Sequence, residues 1–410
     1  MRILIFSAYY EPEFAASLYL SKQLYEGMAE LGWTVNLYVP LPTRGIDTSI
    51  RNYYKKQKRE QLINGRLTIH RFYAPKEGKS VLARALRYFY INMVFAGIGL
   101  FKKQDVLFLQ STPPTQGLVG AFIRFFRRKP FVYNLQDIFP DSLVASGLTK
   151  YNSFLWKIGR RIENITYKSA SKIIVISDDF KKNLLSKKVA KDKIRVIYNW
   201  VDEKVVHPIA KEDNFLFEEF QLSRNKFYIV YAGNLGKAQN INIIIEAAKQ
   251  FLEYEDIEFL IFGTEQQSKP YIDSLDNIKI TNLRFLPLQS YDKVSYVYSL
   301  ADVSVVSCKK GFGGSAMPSK TWSILASGTP VVANFDSRSD LQKIIEDNQV
   351  GLFSEAEDLR AFVSSIQTLY QNRELCSQLG RNARNYIVEN LSREISVSRY
   401  LKVIEDLVRN

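Results

Sequence analysis

The sequence predicts an α/β protein made of two units, each built on a parallel sheet. Three observations carry this. Short apolar runs alternate with helical patterns along most of the chain, the signature of a parallel sheet covered on both faces. The alternation comes as two series of similar size, with YNWVDEKVVHP (198–208) between them as a linker. Finally, 410 residues with 46% apolar and 13% aromatic content can fill two or three separate cores.

In chain order, RILIFSA (2–8) reads as a first strand. SLYLSKQLYEGMAELG (17–32) has apolar residues at three and four spacing and stops at Gly32, and TVNLYVP (34–40) follows as a strand. DVLFLQS (105–111), FVYNLQD (131–137), KIIVIS (172–177) and IRVIYN (194–199) are short, β-branched and aromatic. The second series runs FYIVYAGN (227–234), IEFLIFG (257–263), LRFLPL (283–288), DVSVVS (302–307) and TPVVAN (329–334). The predicted division is 1–200 and 201–391, with an amphipathic helix at 392–410 that packs back on the first domain. In such folds ligands bind beyond the carboxyl ends of the strands.

Charge is uneven. Residues 1–207 hold 34 Lys and Arg against 16 Asp and Glu, leaving 22 against 26 in the remainder. Basic clusters at 51–59, 102–103 and 124–129 lie among the apolar and aromatic stretches 82–101 and 121–126. That interleaving suits an anionic membrane surface, and equally a solvated basic face over a core helix; nucleic acid is a third reading. The stretch 88–101 is too short and too closely bounded by charge to span a bilayer. Two cysteines, Cys308 and Cys376, make neither a disulfide framework nor a metal-ligand pattern, which points to a reducing compartment. The N-terminus reads as a strand rather than a signal peptide.

Four stretches could carry chemistry. After the first strand, Ala15, Ala16 and Ser17 are small residues at a helix entrance, where a phosphate could approach the backbone; an ordinary capped turn is the alternative. YAGNLGKAQN (231–240) joins a strand, a glycine turn at Gly233–Gly236, a cation (Lys237) and a helix, a plausible diphosphate cradle or a capped turn with an exposed lysine. GGSAMPSKTWSILASG (313–328) places Pro318 and Ser319 at a helix mouth whose first amides favour an anion, and Lys320 adds a full charge there. YNLQDIFPD (133–141) sets Gln136 and Asp137 at a strand end and Asp141 one turn on; these could meet sugar hydroxyls, while Asp141 could equally cap a helix. His70 and His207 lie outside these loops and read as structural or surface residues. No metal-binding motif is present.

Together these stretches resemble the retaining nucleotide-sugar glycosyltransferases of family 4. The family has the GT-B fold, in which two Rossmann-like domains face each other across a cleft. The Glu11-Pro12 loop resembles that family's N-terminal loop, with Ala15-Ala16 where a glycine pair is usual. IRVIYNWVD (194–202) resembles its interdomain turn, YAGNLGKAQN its diphosphate grip, and SILASGTPVVA (323–333) its Glu-led block before a strand. The departures are specific. Ser315 and Ser323 stand at the family's glutamate pair, Asn234 and Gln239 at its Arg and Lys, and Gln136 at its acceptor-side His. GNLGKAQ, PSK and QDxxPD are similar to a bacterial subgroup that includes fucosamine transferases of surface-polysaccharide assembly.

The resemblance implies a hexosyltransferase that moves a HexNAc or deoxy-HexNAc from a UDP-sugar. The acceptor would be a polyprenyl-diphosphate-linked or oligosaccharide glycan of O-antigen, capsule or exopolysaccharide, at the inner face of the cell membrane. No metal or other cofactor is expected, because Lys320 and Lys237 would take the charge of the leaving diphosphate and Asp137 would replace the histidine. Donor contacts would come from Ala16, Ser17, Gly233, Asn234, Gly236, Gln239, Gly263, Ser315, Met317, Pro318, Ser319 and Ser323, and acceptor contacts from Gln136, Asp141 and Glu11. The partners implied are the UDP-sugar, the glycan acceptor and an anionic membrane surface through the basic N-terminal half, and no nucleic acid. A UDP-sugar epimerase and a non-catalytic glycosyltransferase-like partner subunit are the competing readings.

Overall fold

A computed structural model describes every residue except 14–17, 79, 146, 276–278, 314–316 and 410, and the side chains of 81 and 145. The chain divides into two units, residues 1–198 with 393–410, and residues 199–392.

The first unit is an eight-stranded sheet: β1 (Arg2–Phe6), β2 (Thr34–Pro40), β3 (Arg59–Leu62), β4 (Leu67–Phe72), β5 (Val106–Gln110), β6 (Phe131–Leu135), β7 (Lys172–Val175) and β8 (Ile194–Val196). Its order is β3-β4-β2-β1-β5-β6-β7-β8, parallel except for β3, which runs antiparallel to β4 at the edge. Side chains of β1, β5 and β6 alternate between two buried faces. That is why these strands read as unbroken apolar runs. One face meets the helices Val81–Phe101, Gln116–Arg127 and Phe154–Ser169 through Phe95, Ile123 and Tyr167. The helix Leu18–Glu30 packs against the last helix, Arg393–Arg409, and Arg393 pairs with Glu30 at 2.9 Å.

β3 and β4 were not legible as strands. In LTIHRF the polar side chains belong to packing of a different kind: the His70 ring stacks on Tyr38 at 4.4 Å, and burial pushes its pKa down. Arg71, half of the next alternation, pairs with Glu60 at 3.0 Å.

The second unit is a six-stranded, wholly parallel sheet of β9 (Phe227–Ala232), β10 (Ile257–Gly263), β11 (Leu283–Pro287), β12 (Val303–Ser307), β13 (Val331–Phe335) and β14 (Gly351–Glu355). The order β11-β10-β9-β12-β13-β14 reverses direction between β9 and β12, so the loops leaving those strands diverge to opposite faces and leave a crevice. β14, also absent from the sequence reading, is a half-exposed edge strand. The segment read as a linker is packed: Trp200 and Val206 are buried, and Arg384 donates to the carbonyls of Glu203, Val206 and Ala326 at 2.9–3.0 Å.

Candidate functional site

The crevice beyond β9 and β12 in the second unit holds the side chain of Lys320. β9 ends at Ala232, and the chain turns through Gly233 with φ +132°, a conformation that suits glycine. A Cβ there would lie 3.3 Å from Lys320 Nζ. Lys320 opens the helix Lys320–Ala326 after the β12 loop and reaches back over the Tyr231 ring, its Nζ 3.6 Å from the ring centroid. The residue as a whole is half-buried, but Nζ itself is buried and has no hydrogen-bond partner among the described residues. Burial alone pushes its pKa down to about 7. The aromatic face compensates part of the lost hydration of the ammonium, but no carboxylate among the described residues does. A buried cation without a counter-ion is a poor way to stabilise a fold. It is a good way to receive an anion.

The turn around it is braced. Tyr231 OH donates to the Asn234 carbonyl at 2.7 Å, and burial holds that phenol's pKa well above its ordinary value. Asn234 Oδ1 accepts from Gln267 Nε2 at 2.6 Å. Gly236 completes the turn, with Gln239 N–H bonded to its carbonyl at 3.1 Å, while Gln239 Oε1 is buried without a partner among the described residues. Gly263 ends β10 with Leu235 packed against it. The Lys309 amide bonds to the Ala238 carbonyl at 2.8 Å, tying the β9 and β12 loops together.

Several sequence expectations meet a different arrangement here. The free amides foreseen at the helix mouth are partly used: Thr321 N–H bonds to Pro318 O and Trp322 N–H to Ser319 O, at 3.0 and 3.3 Å. The glycine loop is held as well, since Gly311 and Gly313 amides donate to the Asp336 carboxylate at 2.9 and 2.7 Å. Lys237 is exposed and makes no hydrogen bond or ion pair with a described residue. Met317 and Pro318 are half-buried, Ser319 is exposed, and Ser323 is buried one turn behind Lys320. Ser315 lies outside the described residues. Sequence reasoning passed over Tyr231, Gln267 and Asp336. Tyr231 had a signal: a tyrosine two residues before a glycine at the end of a strand.

In the first unit, Glu13 anchors the loop after β1. Glu13 is buried and accepts the Thr43 and Arg44 amides at 2.7 and 3.0 Å; burial raises its pKa and those amides pull it back. Glu11 is exposed and pairs with Lys22 at 3.0 Å. Ala16 and Ser17 lie outside the described residues.

Beyond β6, the Gln136 amide donates to Ser111 Oγ at 3.0 Å and its side chain approaches Asn134 Oδ1 at 3.4 Å. Asn134 in turn accepts from Tyr400 OH at 3.1 Å and donates to Gln110 at 2.9 Å. A buried polar chain thus runs from the last helix to Gln136. Asp137 is open to water as a residue, yet the protein around its carboxyl raises the pKa by desolvation, against hydrogen bonds from Ser142 and the Ile138 amide.

Asp141 is occupied. It pairs with Lys187 at 2.7 Å and accepts from Asn183 at 3.2 Å, and Lys187 also pairs with Glu163 at 2.7 Å. Asp141→Ala is therefore expected to cost about 2 kcal/mol of stability in urea melts, because it strips a mostly buried ammonium of one of two carboxylates.

The chain matches the sequence family described as Glycosyl transferases group 1 over residues 212–386, and that described as Glycosyltransferase Family 4 over residues 21–205. A candidate glycosyltransferase of Pseudomonas aeruginosa, WbjE, is 25% identical over 316 residues, 75% of this chain and 76% of that protein. A candidate colanic acid biosynthesis glycosyl transferase of Escherichia coli K12, WcaI, is 24% identical over 419 residues, 98% of this chain and 100% of the relative. Among solved structures, the Anabaena protein HepE in complex with UDP superposes with a TM-score of 0.71 at 13% identity, covering 99% of this chain and 100% of that one.

Proposed function

We propose a donor, a chemistry and an acceptor for this chain, which belongs to the family 4 glycosyltransferases of GT-B fold. The donor is a UDP-sugar, of the HexNAc or deoxy-HexNAc class. The second unit binds it, with the diphosphate received by Lys320 beside Gly233. One observation carries this reading: a buried ammonium with no counter-ion among the described residues, 3.6 Å over an aromatic ring, at the point where the strand order of the parallel sheet reverses. The choice of uridine is supported by HepE, which was solved with UDP.

The reaction breaks the bond between the sugar C1 and the β-phosphate oxygen. Negative charge then develops on the phosphate, and a preorganised donor in a dry site stabilises it more than bulk water can. Lys320 supplies that donor, with Lys237 contributing from the exposed side of the turn. In a retaining transfer the acceptor hydroxyl enters on the face the diphosphate leaves, and a phosphate oxygen takes its proton. A strong protein base is then unnecessary, and no metal is required for the leaving group. Asp137 and Gln136 orient the acceptor in the first unit.

The acceptor is a polyprenyl-diphosphate-linked or oligosaccharide glycan of a bacterial surface polysaccharide, handled at the inner face of the cell membrane. The colanic acid biosynthesis for which WcaI is named supports this class, as does the basic first half of the chain.

The test is turnover by the purified chain. UDP-HexNAc and UDP-deoxy-HexNAc are offered with a short-chain polyprenyl-diphosphate glycan, with and without EDTA. The expected result is a product with retained anomeric configuration by NMR, at a rate unchanged by EDTA. An inverted product overturns the mechanism, loss of activity with EDTA overturns metal independence, and an isomerised donor without transfer favours an epimerase.

A further inference from the structure

We infer that the helices Val81–Phe101, Gln116–Arg127 and Phe154–Ser169 form one face of the first unit that seats in the headgroup interface of an anionic bilayer. The three helices lie side by side on the same side of the sheet, with Gly99 against Ile123 and Gly117 against Thr166. Their inner sides fill the core through Phe95, Ile123 and Tyr167. Their outer sides are apolar where a water-facing helix carries mixed charge. Leu86, Phe89 and Met93 of the first helix, Phe125 and Phe126 of the second and Phe154 of the third are each more than half exposed, Phe125 by 78% and Phe154 by 82%.

Charge selects the occupant. Segments 81–103, 116–129 and 147–170 carry 13 Lys and Arg and a single acid, Glu163. That glutamate is buried and paired with Arg160 and Lys187, so it faces no partner. Arg84, Lys102, Lys103, Arg127, Lys157 and Arg161 are exposed. Apolar side chains among cations of one sign match acyl chains beneath anionic headgroups. They do not match a second copy of the same face, whose like charges would repel.

Among the described residues, no helix is long and apolar enough to cross a membrane, so the face would lie on the bilayer. The basic run 51–59, grouped with this surface by sequence alone, sits elsewhere: it leads into the edge strand β3, and its Arg51 is buried against Pro42 and Ala74 carbonyls. This inference rests on the lipid-linked acceptor reading for its biological sense, but vesicle binding is measured without donor or acceptor, so the two can fail separately.

The experiment is co-sedimentation with vesicles of phosphatidylcholine, with and without phosphatidylglycerol. The intact protein is expected to bind only the anionic vesicles, and added salt to weaken binding. Phe89→Ser with Phe125→Ser and Phe126→Ser is expected to lower partitioning at least about tenfold, as is Lys102→Glu with Lys103→Glu and Arg127→Glu. Lys55→Glu with Lys56→Glu and Lys58→Glu is expected to leave it unchanged. All these positions are exposed, and circular dichroism melts should match the parent. Binding equal with and without phosphatidylglycerol overturns the inference, as does binding that survives both face variants. A self-associated protein that the phenylalanine variant turns monomeric, or oligonucleotide binding that abolishes vesicle binding through the 51–59 run, also overturns it.

Discussion

Lys320→Ala is expected to lower kcat/KM for the sugar-nucleotide donor by about 10²–10³-fold, the usual cost of deleting one preorganised donor to a developing anion. Stability should hold or rise slightly. Among the described residues the deleted ammonium has no hydrogen-bond partner and no carboxylate, so its removal relieves a desolvated charge rather than breaking a pair. A residue kept for packing would show the reverse pattern, a lower Tm with activity preserved per folded molecule.

The pH profile gives the same claim a second handle. With the free-enzyme pKa pushed down to about 7, kcat/KM for the donor should fall as pH rises through that value. A bound diphosphate favours the charged lysine, so kcat should hold to higher pH. The folding linkage has a definite sign. The folded pKa lies below the unfolded one, so the unfolded chain holds the extra proton between about 7 and the ordinary lysine range. Stability in the intact protein should therefore climb with pH across that window, and this climb should vanish in Lys320→Ala.

Gly233→Val should weaken donor binding by about tenfold or more while destabilising the second unit by ~1–3 kcal/mol. Two effects act at one position. The φ of +132° is one that a β-branched residue does not adopt without strain, so the turn that carries Asn234 must move. The added Cβ would also lie 3.3 Å from Lys320 Nζ, with further methyl groups beyond it, and would push the ammonium away from its place over Tyr231. Gly233→Ala should fall between the two proteins. Calorimetry with UDP reads the binding change, and urea melts read the stability change.

Much of the architecture was legible because buried parallel strands must be apolar on both faces. IEFLIFG gave β10 to the residue, and its seven buried positions show why. Edge strands lack that requirement: β14 is half-exposed and β3 mostly exposed, so GLFSE and REQL carried no apolar run to read. The candidate site was legible where chain geometry alone speaks. A glycine at the end of a strand and a lysine after Pro-Ser could be picked out locally, and both lie at one crevice.

What could not be read was the tertiary environment. Lys237 and Lys320 look alike in sequence, yet one is in water and the other is packed over an aromatic ring. Asp141 looks like a crevice carboxylate, yet Lys187, forty-six residues on, occupies it. Asp336 takes the amides of a glycine loop that local reasoning leaves free.

The account stands on a diphosphate meeting the Lys320 ammonium, and a crystal structure of the protein with UDP measures that contact directly. The account predicts a β-phosphate oxygen about 2.7–3.2 Å from Lys320 Nζ, with Gly233 backbone against the diphosphate. UDP ordered elsewhere, or Lys320 still over Tyr231 with no phosphate in reach, would contradict it.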